Sequence, residues 1–113
     1  MVIKQEESRR FPRLKFSNPL RFQVRGTPKP CTSLSENISL NGIGFINNDF
    51  IAPLTPVTME INVLSKVLRP IAKVVWSAPL AHSNRYRLGA EFLEMDMKDR
   101  KLLSDFVNLR SNR

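Results

Sequence analysis

The sequence contains little of the chemistry that enzymes and metalloproteins depend on. Its 113 residues include one Cys, one His and one Trp. Cys31 cannot pair within the chain, and no spacing matches a metal site, a Ser/His/Asp set or a phosphate loop. His82, in the segment "PLAHSNRY", is expected to be an exposed loop residue. We therefore expect neither catalysis nor a bound metal or cofactor.

Long apolar runs are also missing. No stretch approaches the ~18 residues of a membrane span, and the start "MVIKQEESRR" lacks the apolar segment of a secretory signal. Hydrophobic residues make up 42% and charged residues 25%, which is typical of soluble globular domains. We expect a single cytoplasmic domain in which Cys31 is a small, half-buried strand residue.

Acidic residues are few, and the excess of basic ones is concentrated at one end. The net charge is +8, and residues 1–30 hold eight Lys or Arg against two Glu. Such a balance suggests an anionic partner, such as a nucleic acid, a nucleotide or an acidic membrane surface. The segment "ESRRFPRLKF" alone carries four basic residues. Its default interpretation is a solvated tail, and a ligand-binding arm is the alternative.

The middle of the chain has the pattern of short β-strands. In "LRFQVR", Leu20, Phe22 and Val24 alternate with polar residues, which is the period of a half-buried strand. Further runs follow at hairpin spacing, separated by segments rich in Pro, Ser or Asn, such as "SKVLRP". The pattern predicts a mainly β fold, a small antiparallel barrel of about six or seven strands.

The last segment changes to a helical period. In "DMKDRKLLSDFVNLR" the apolar residues recur every three or four positions, and Asp96 can cap the helix. We expect this C-terminal helix to lay its apolar face on the barrel, with too narrow a stripe for a membrane-surface helix. The predicted organisation is a flexible basic arm over residues 1–15 and the barrel with its helix over residues 16–110.

Two short motifs stand in a fixed order. "RRFPR" gives R-x-x-x-R at Arg9 and Arg13, and "NISLNG" gives N-x-S-x-x-G at Asn37, Ser39 and Gly42, starting 24 positions after Arg13. In these motifs, and in "AKVVW" and "YRLGAEF", the chain from about Ser8 to Leu109 resembles the PilZ domain family. That family binds the bacterial second messenger cyclic di-GMP.

The resemblance implies a ligand site made of two separate pieces of chain. Guanidinium can bond two acceptors at once and stack on a base, which suits phosphates and guanine edges. Asn37 and Ser39, expected on one side of a strand, would hydrogen-bond guanine, and Gly42 would permit a tight turn close to the ligand. The expected ligand-binding residues are Arg9, Arg10, Arg13, Asn37, Ser39, Gly42 and Trp76.

Asn41, which lies beside this set, and Trp76, which belongs to it, depend on local context. Asn41 stands where many family members have Gly, and Asn is the residue that best tolerates positive φ, so the turn is expected to survive. Trp76 ends the apolar run "KVVW". Core or rim packing is its default interpretation, and stacking on a base is the alternative.

Three functions therefore follow from the sequence. The first is a cyclic di-GMP receptor, in which the ligand orders the basic arm and changes the binding of a downstream protein partner. The second is a degenerate PilZ-like module that binds proteins without a ligand. The third is a small RNA- or single-strand-binding barrel, which fits the charge but is disfavoured because the aromatic residues mostly occupy inward-facing strand positions.

Overall fold

The computed structural model describes residues 13–111. Its elements in chain order are strands β1 (Leu14–Lys15), β2 (Pro19–Val24), β3 (Cys31–Ile38), β4 (Gly42–Asn47), β5 (Pro56–Val63), β6 (Lys66–Leu68), β7 (Ile71–Pro79) and β8 (Tyr86–Glu94), and helix α1 (Met97–Ser111).

The sheet closes on itself. Its order is β1-β3-β2-β5-β7-β8-β4, and β4 pairs back onto β3, so six strands form a barrel. All pairings are antiparallel. β1 pairs with the end of β3 that lies beyond β2, at Asn37 and Ile38, and β6 pairs with the end of β5. The fold predicted from the sequence, a small antiparallel barrel with a C-terminal helix, is confirmed. Closure removes most of the exposed strand edges that an open sheet would present.

Alternation along the strands fills the barrel interior. In β2, Leu20 and Phe22 are 1% and 2% exposed, whereas Arg21 between them faces solvent. Phe22 packs against Phe45 of β4 with ring centroids 5.3 Å apart. Cys31 is half-buried at the start of β3, as expected. The period-two pattern therefore identified the inward face correctly.

Strand β6 lies in a segment whose composition predicts a loop. The segment "SKVLRP" contains β6, and Leu68 at its end is completely buried. The turn from β5 to β6 is formed by Leu64 and Ser65, both at positive φ (51° and 68°). Such two-residue turns usually contain Asn or Gly, so this turn carries no recognisable sequence signal. The prediction of a simple loop was wrong for that reason.

Helix α1 covers one end of the barrel. Leu103, Phe106 and Val107 are buried, and the Phe106 ring meets Phe16 edge-on with centroids 5.7 Å apart. Leu109 continues the helical period but remains 70% exposed, one turn beyond the barrel surface. The first turn of the helix is tied to the barrel by Asp99, whose carboxylate accepts a hydrogen bond from the Arg69 backbone N–H at 2.9 Å.

Candidate functional site

The two sequence motifs meet on the outer face of the barrel. Arg13 Nη1 donates a hydrogen bond to Asn37 Oδ1 at 2.6 Å, joining the end of R-x-x-x-R to the start of N-x-S-x-x-G. The contact is exposed, and β1 fixes it because Lys15 pairs directly with Asn37. Arg9 and Arg10 lie outside the described residues.

The segment that delivers Arg13 is anchored to β3 by Ser35. Its buried hydroxyl contacts the Phe16 carbonyl oxygen and accepts from the Asn18 N–H, at 2.8 and 2.9 Å. The Phe16 N–H donates to the Glu36 carbonyl at 3.0 Å. These bonds satisfy backbone groups that would otherwise be buried without partners. They place the start of the described chain beside the second motif.

A bulge in β3 turns Asn37 outward. The register of β3 against β4 shifts between Ser35 and Asn37, so Glu36 and Asn37 are both partly exposed and Ile38 is buried. The Glu36 carboxylate accepts from Arg87 Nε and Nη2 at 2.8 and 3.2 Å. This hydrogen bond, together with the negative charge, raises the pKa of Arg87. Arg87 therefore stays charged, but its charge is already matched by a carboxylate.

Ser39 does not share the face of Asn37. The bulge breaks the alternation, β3 ends at Ile38, and Ser39 is completely buried in the turn that follows. Its hydroxyl lies 2.6 Å from Asn41 Oδ1, and its backbone N–H donates to the Gly42 carbonyl at 2.9 Å. The expected projection of Asn37 and Ser39 from one side is not what the structure contains. Ser39 holds the turn together.

Asn41 and Gly42 do not occupy the turn because of the backbone conformation that was expected of them. Neither residue has positive φ. The Asn41 carbonyl accepts from the Phe92 N–H at 2.8 Å, while its side chain bonds to Ser39. A Cβ placed on Gly42 would lie 2.4 Å from the Ala90 carbonyl oxygen. Gly42 is thus required by close packing against β8 rather than by backbone strain.

Two glycines lie between Asn37 and Trp76 on the outer face of the barrel. Asn37 pairs with Gly44, Gly44 with Gly89, and Gly89 with Trp76, so these four residues form one row across β3, β4, β8 and β7. We call Gly44 and Gly89 the glycine strip. Three strand spacings separate the ends of the row, about 14 Å. Both glycines are buried.

The side chains of Asn37 and Trp76, at the two ends of the row, lie over the glycine strip. A Cβ on Gly44 would lie 2.8 Å from Asn37 Oδ1, and a Cβ on Gly89 would lie 2.3 Å from Trp76 Nε1. Trp76 is 40% exposed, so it does not pack in the core, whereas packing at the rim of the barrel agrees with this exposure. A register shift between Val74 and Trp76 reverses the alternation, because Val74 faces the core and the next two residues face solvent.

Beside this row lies a small depression of about 140 Å³. It is lined by Arg13, Asn41, Gly42, Val75, Ala90 and Glu91. This volume is below that of a typical small-molecule pocket, so the depression suits one edge of a ligand that otherwise lies on the surface. Larger hollows, including one of about 860 Å³ beside helix α1, lie away from both motifs.

Sequence reasoning missed Gly44, Gly89 and Glu91. Two of them stand in "YRLGAEF", where Leu88 and Ala90 are buried and Gly89 and Glu91 occupy the alternate, outward positions. Strand alternation could therefore have placed Gly89 and Glu91 on the outer face. Their proximity to Trp76 and Arg13 follows from the register of β7, β8 and β4, which short-range pattern does not determine.

The described residues contain few features that would support other functions. Within residues 13–111 no helix is long and apolar enough to cross a membrane. The same range contains no group of three or more His, Cys, Asp or Glu side chains placed to hold a metal ion. His82 is exposed in the loop between β7 and β8, at positive φ.

Comparison with known proteins bears on this site directly. A model of the PilZ domain family matches residues 7–109, nearly the whole chain. The chain belongs to the PilZ domain family. The match includes both R-x-x-x-R and N-x-S-x-x-G, so the resemblance carried by these motifs is confirmed.

Solved structures place this PilZ domain among proteins of the same fold. The Bacillus subtilis inhibitor of motility MotI/DgrA matches with a TM-score of 0.77 and 18% identity over 91% of this chain and 52% of that one. The PilZ domain of Escherichia coli YcgR with c-di-GMP gives a TM-score of 0.64 and 14% identity, covering 88% of each chain.

The Klebsiella pneumoniae MrkH–c-di-GMP complex matches with a TM-score of 0.70 and 11% identity, over 89% of this chain and 50% of that one. The PilZ domain therefore spans about half the length of MotI/DgrA and of MrkH. A comparison with curated protein sequences found no match.

Proposed function

We propose that this PilZ domain is a receptor for cyclic di-GMP, which it binds on the outer face of the barrel around Arg13 and Asn37. The observation that carries the proposal is the 2.6 Å hydrogen bond between those two side chains. It joins two motifs that lie 24 positions apart in sequence. The similar structures of YcgR and MrkH contain c-di-GMP, and belonging to the same family supports the same ligand here.

The proposed ligand-binding residues differ in what they contribute. Asn37, the hydrogen-bond partner of Arg13, is a neutral amide, so this contact does not balance the charge of Arg13. Arg13 can therefore bond a phosphate or the O6 and N7 edge of guanine, as Arg commonly does. Ser39 and Gly42 act indirectly in this arrangement, by shaping the turn beneath the ligand. Arg9 and Arg10 are proposed to bind phosphate or base on the strength of the motif alone.

Trp76 is proposed as a stacking surface for a guanine base. Its indole is 40% exposed and lies over Gly89, at the far end of the row that begins with Asn37. Base stacking on an aromatic side chain contributes about 1–3 kcal/mol per base. Because the Trp76 and Asn37 side chains cover the two glycines, a guanine would stack on the solvent-exposed part of the indole rather than on the glycine strip.

The signalling step is proposed to involve residues 1–15. Arg9 and Arg10 extend a basic segment whose end is fixed beside Asn37 by β1. Like charges do not favour docking of this segment on a basic barrel, whereas a bound anion would bridge them. Docking would order the segment and change the surface available to a downstream protein partner. This cytoplasmic receptor role requires no catalysis.

The test is isothermal titration of cyclic di-GMP into the purified protein at physiological salt, with GTP as a control anion. The Arg9→Ala/Arg13→Ala variant is measured beside it. We expect binding of micromolar affinity or tighter to the unmodified protein and none for GTP. Loss of a single charge-assisted Arg contact should weaken binding about tenfold or more, and loss of both should weaken it further.

Two results would contradict the receptor proposal. If no heat is released at any concentration, the degenerate protein-binding module becomes the better interpretation. If the Arg9→Ala/Arg13→Ala variant loses its cooperative unfolding transition, these arginines belong to the scaffold rather than to a ligand site. Circular dichroism during thermal unfolding separates the second result from a genuine loss of binding.

A further inference from the structure

We infer that Glu91 is a specificity-determining residue of the proposed site, selecting guanine over adenine by accepting hydrogen bonds from the guanine N1–H and exocyclic N2–H groups. The inference rests on the proposed function. It concerns a carboxylate that neither sequence motif contains.

Glu91 lies where an edge of a bound base would enter. It lines the depression of about 140 Å³ together with Arg13 and Asn41. In β8 it pairs directly with Gly42, the last residue of N-x-S-x-x-G, and it faces outward between buried Ala90 and Phe92. Its side chain is 46% exposed. The carboxylate is therefore accessible from the same surface as Arg13.

Two other side-chain acceptors near the depression are already engaged. Asn37 Oδ1 accepts from Arg13, and the Ser39 hydroxyl is buried against Asn41 Oδ1. Glu91 Oε1 forms an ion pair with Lys73 Nζ at 3.8 Å, a distance longer than a hydrogen bond. Glu91 consequently retains the capacity to accept two N–H groups in parallel.

The sign of its charge indicates which part of the ligand it meets. A carboxylate beside a phosphate of cyclic di-GMP would repel it, so Glu91 cannot serve the backbone of the ligand. Guanine offers two neighbouring donors, N1–H and N2–H, that match a carboxylate. Adenine offers an N1 acceptor there and no exocyclic amine at C2, so Glu91 would lose both bonds and face a lone pair. A site built to bond a group discriminates strongly against a ligand that lacks it.

The experiment measures cyclic di-GMP and cyclic di-AMP against four forms of the protein by isothermal titration. The forms are the unmodified chain, Glu91→Gln, Glu91→Asp and the control Glu94→Gln. Glu94 is an exposed carboxylate on the same strand that lies outside the depression. Glu91→Gln and Glu94→Gln remove the same net charge, and Glu91→Gln also releases Lys73 from its ion pair, which would tighten rather than weaken the binding of an anion.

We expect Glu91→Gln to weaken cyclic di-GMP binding by about 10- to 100-fold and to leave cyclic di-AMP binding unchanged or tighter. Glu91→Asp keeps the charge but withdraws the carboxylate by one methylene, so it should also weaken the binding of cyclic di-GMP. Glu94→Gln should not change the ratio of the two affinities.

If Glu91 only repelled the nucleotides, Glu91→Gln would bind them more tightly rather than more weakly. If Glu91→Gln binds both nucleotides more tightly by the same factor, the inference is wrong and the receptor proposal stands. If Glu94→Gln alters the ratio as much as Glu91→Gln, the inference is also wrong, because the effect is then not local. If the unmodified chain binds neither nucleotide, both the receptor proposal and this inference fail.

Discussion

The absence of a side chain at Gly89 allows the Trp76 indole to lie against β8. A Cβ on Gly89 would fall 2.3 Å from Trp76 Nε1, a separation that Cβ atoms do not tolerate. The indole ring must then move away from the surface of β8. Because Trp76 is the proposed stacking surface, an added methyl group at Gly89 changes the site without touching the ligand itself.

We therefore expect Gly89→Ala to weaken cyclic di-GMP binding about tenfold, in the range of one lost stacking contact. Trp76 is the only Trp in the chain, so its fluorescence reports the displacement directly. In a Trp76→Ala background the new methyl group meets no indole, and Gly89→Ala should have little further effect. Equal losses in both backgrounds would contradict a role exerted through Trp76.

Some residues of the site could be predicted from the sequence and others could not. The motif residues Arg13 and Asn37 were identified because their types and spacing are characteristic, and the structure brings them together. The burial of Ser39 was not predicted, and the sequence left open whether Trp76 packs in the core, packs at the rim or stacks on a base. The burial of Ser39 and the exposure of Trp76 both result from bulges, which shift alternation by one position and leave no reliable trace in composition.

At the scale of elements, the barrel and helix α1 depend on each other through a small number of aromatic contacts. Phe106 is 4% exposed, packs edge-on against Phe16, and carries Arg110 above its ring at 4.9 Å from the centroid. Phe16 immediately follows β1, the strand that delivers Arg13. The packing of the helix therefore supports the segment on which the site depends.

Phe106→Ala is expected to lower the free energy of unfolding by about 3–5 kcal/mol, because it removes a large buried side chain and leaves a cavity. Leu109→Ala is the matched control on the same helix: Leu109 is 70% exposed, and its loss should cost less than about 0.5 kcal/mol. Urea unfolding followed by circular dichroism measures both. Similar costs for the two variants would mean that the helix does not pack through Phe106.

The antiparallel barrel and the C-terminal helix were predictable because apolar residues recur at about every second position in the strands and at every three or four positions after β8. Two short strands were not predicted. β1 lies in the segment expected to be the flexible arm, and β6 is three residues long and follows a turn of Leu64 and Ser65. Propensity alone does not favour positive φ at either residue. Burial of Leu68 in the core offsets that local cost. The sequence of the segment alone therefore does not predict β6.

For the whole molecule, the net charge of +8 attracts any polyanion, and the shape of the site must distinguish among them. Five Phe residues are buried among those described, and the exposed aromatic residues Phe50 and Trp76 do not form a continuous stacking surface, since Phe50 packs edge-on against Tyr86. This arrangement favours one compact ligand over a long single strand.

Ligand-linked stability tests that distinction on the whole domain. A ligand that binds only the folded state at 100 times its Kd raises the free energy of unfolding by about 2.7 kcal/mol, which shifts Tm by roughly 10 °C for a domain of this size. We expect that shift with cyclic di-GMP at physiological salt. Single-stranded RNA should give a smaller shift that disappears as salt is raised, because its binding would depend on released counterions. An equal, salt-resistant shift with RNA would favour the RNA-binding barrel instead, since general charge attraction could not then account for it.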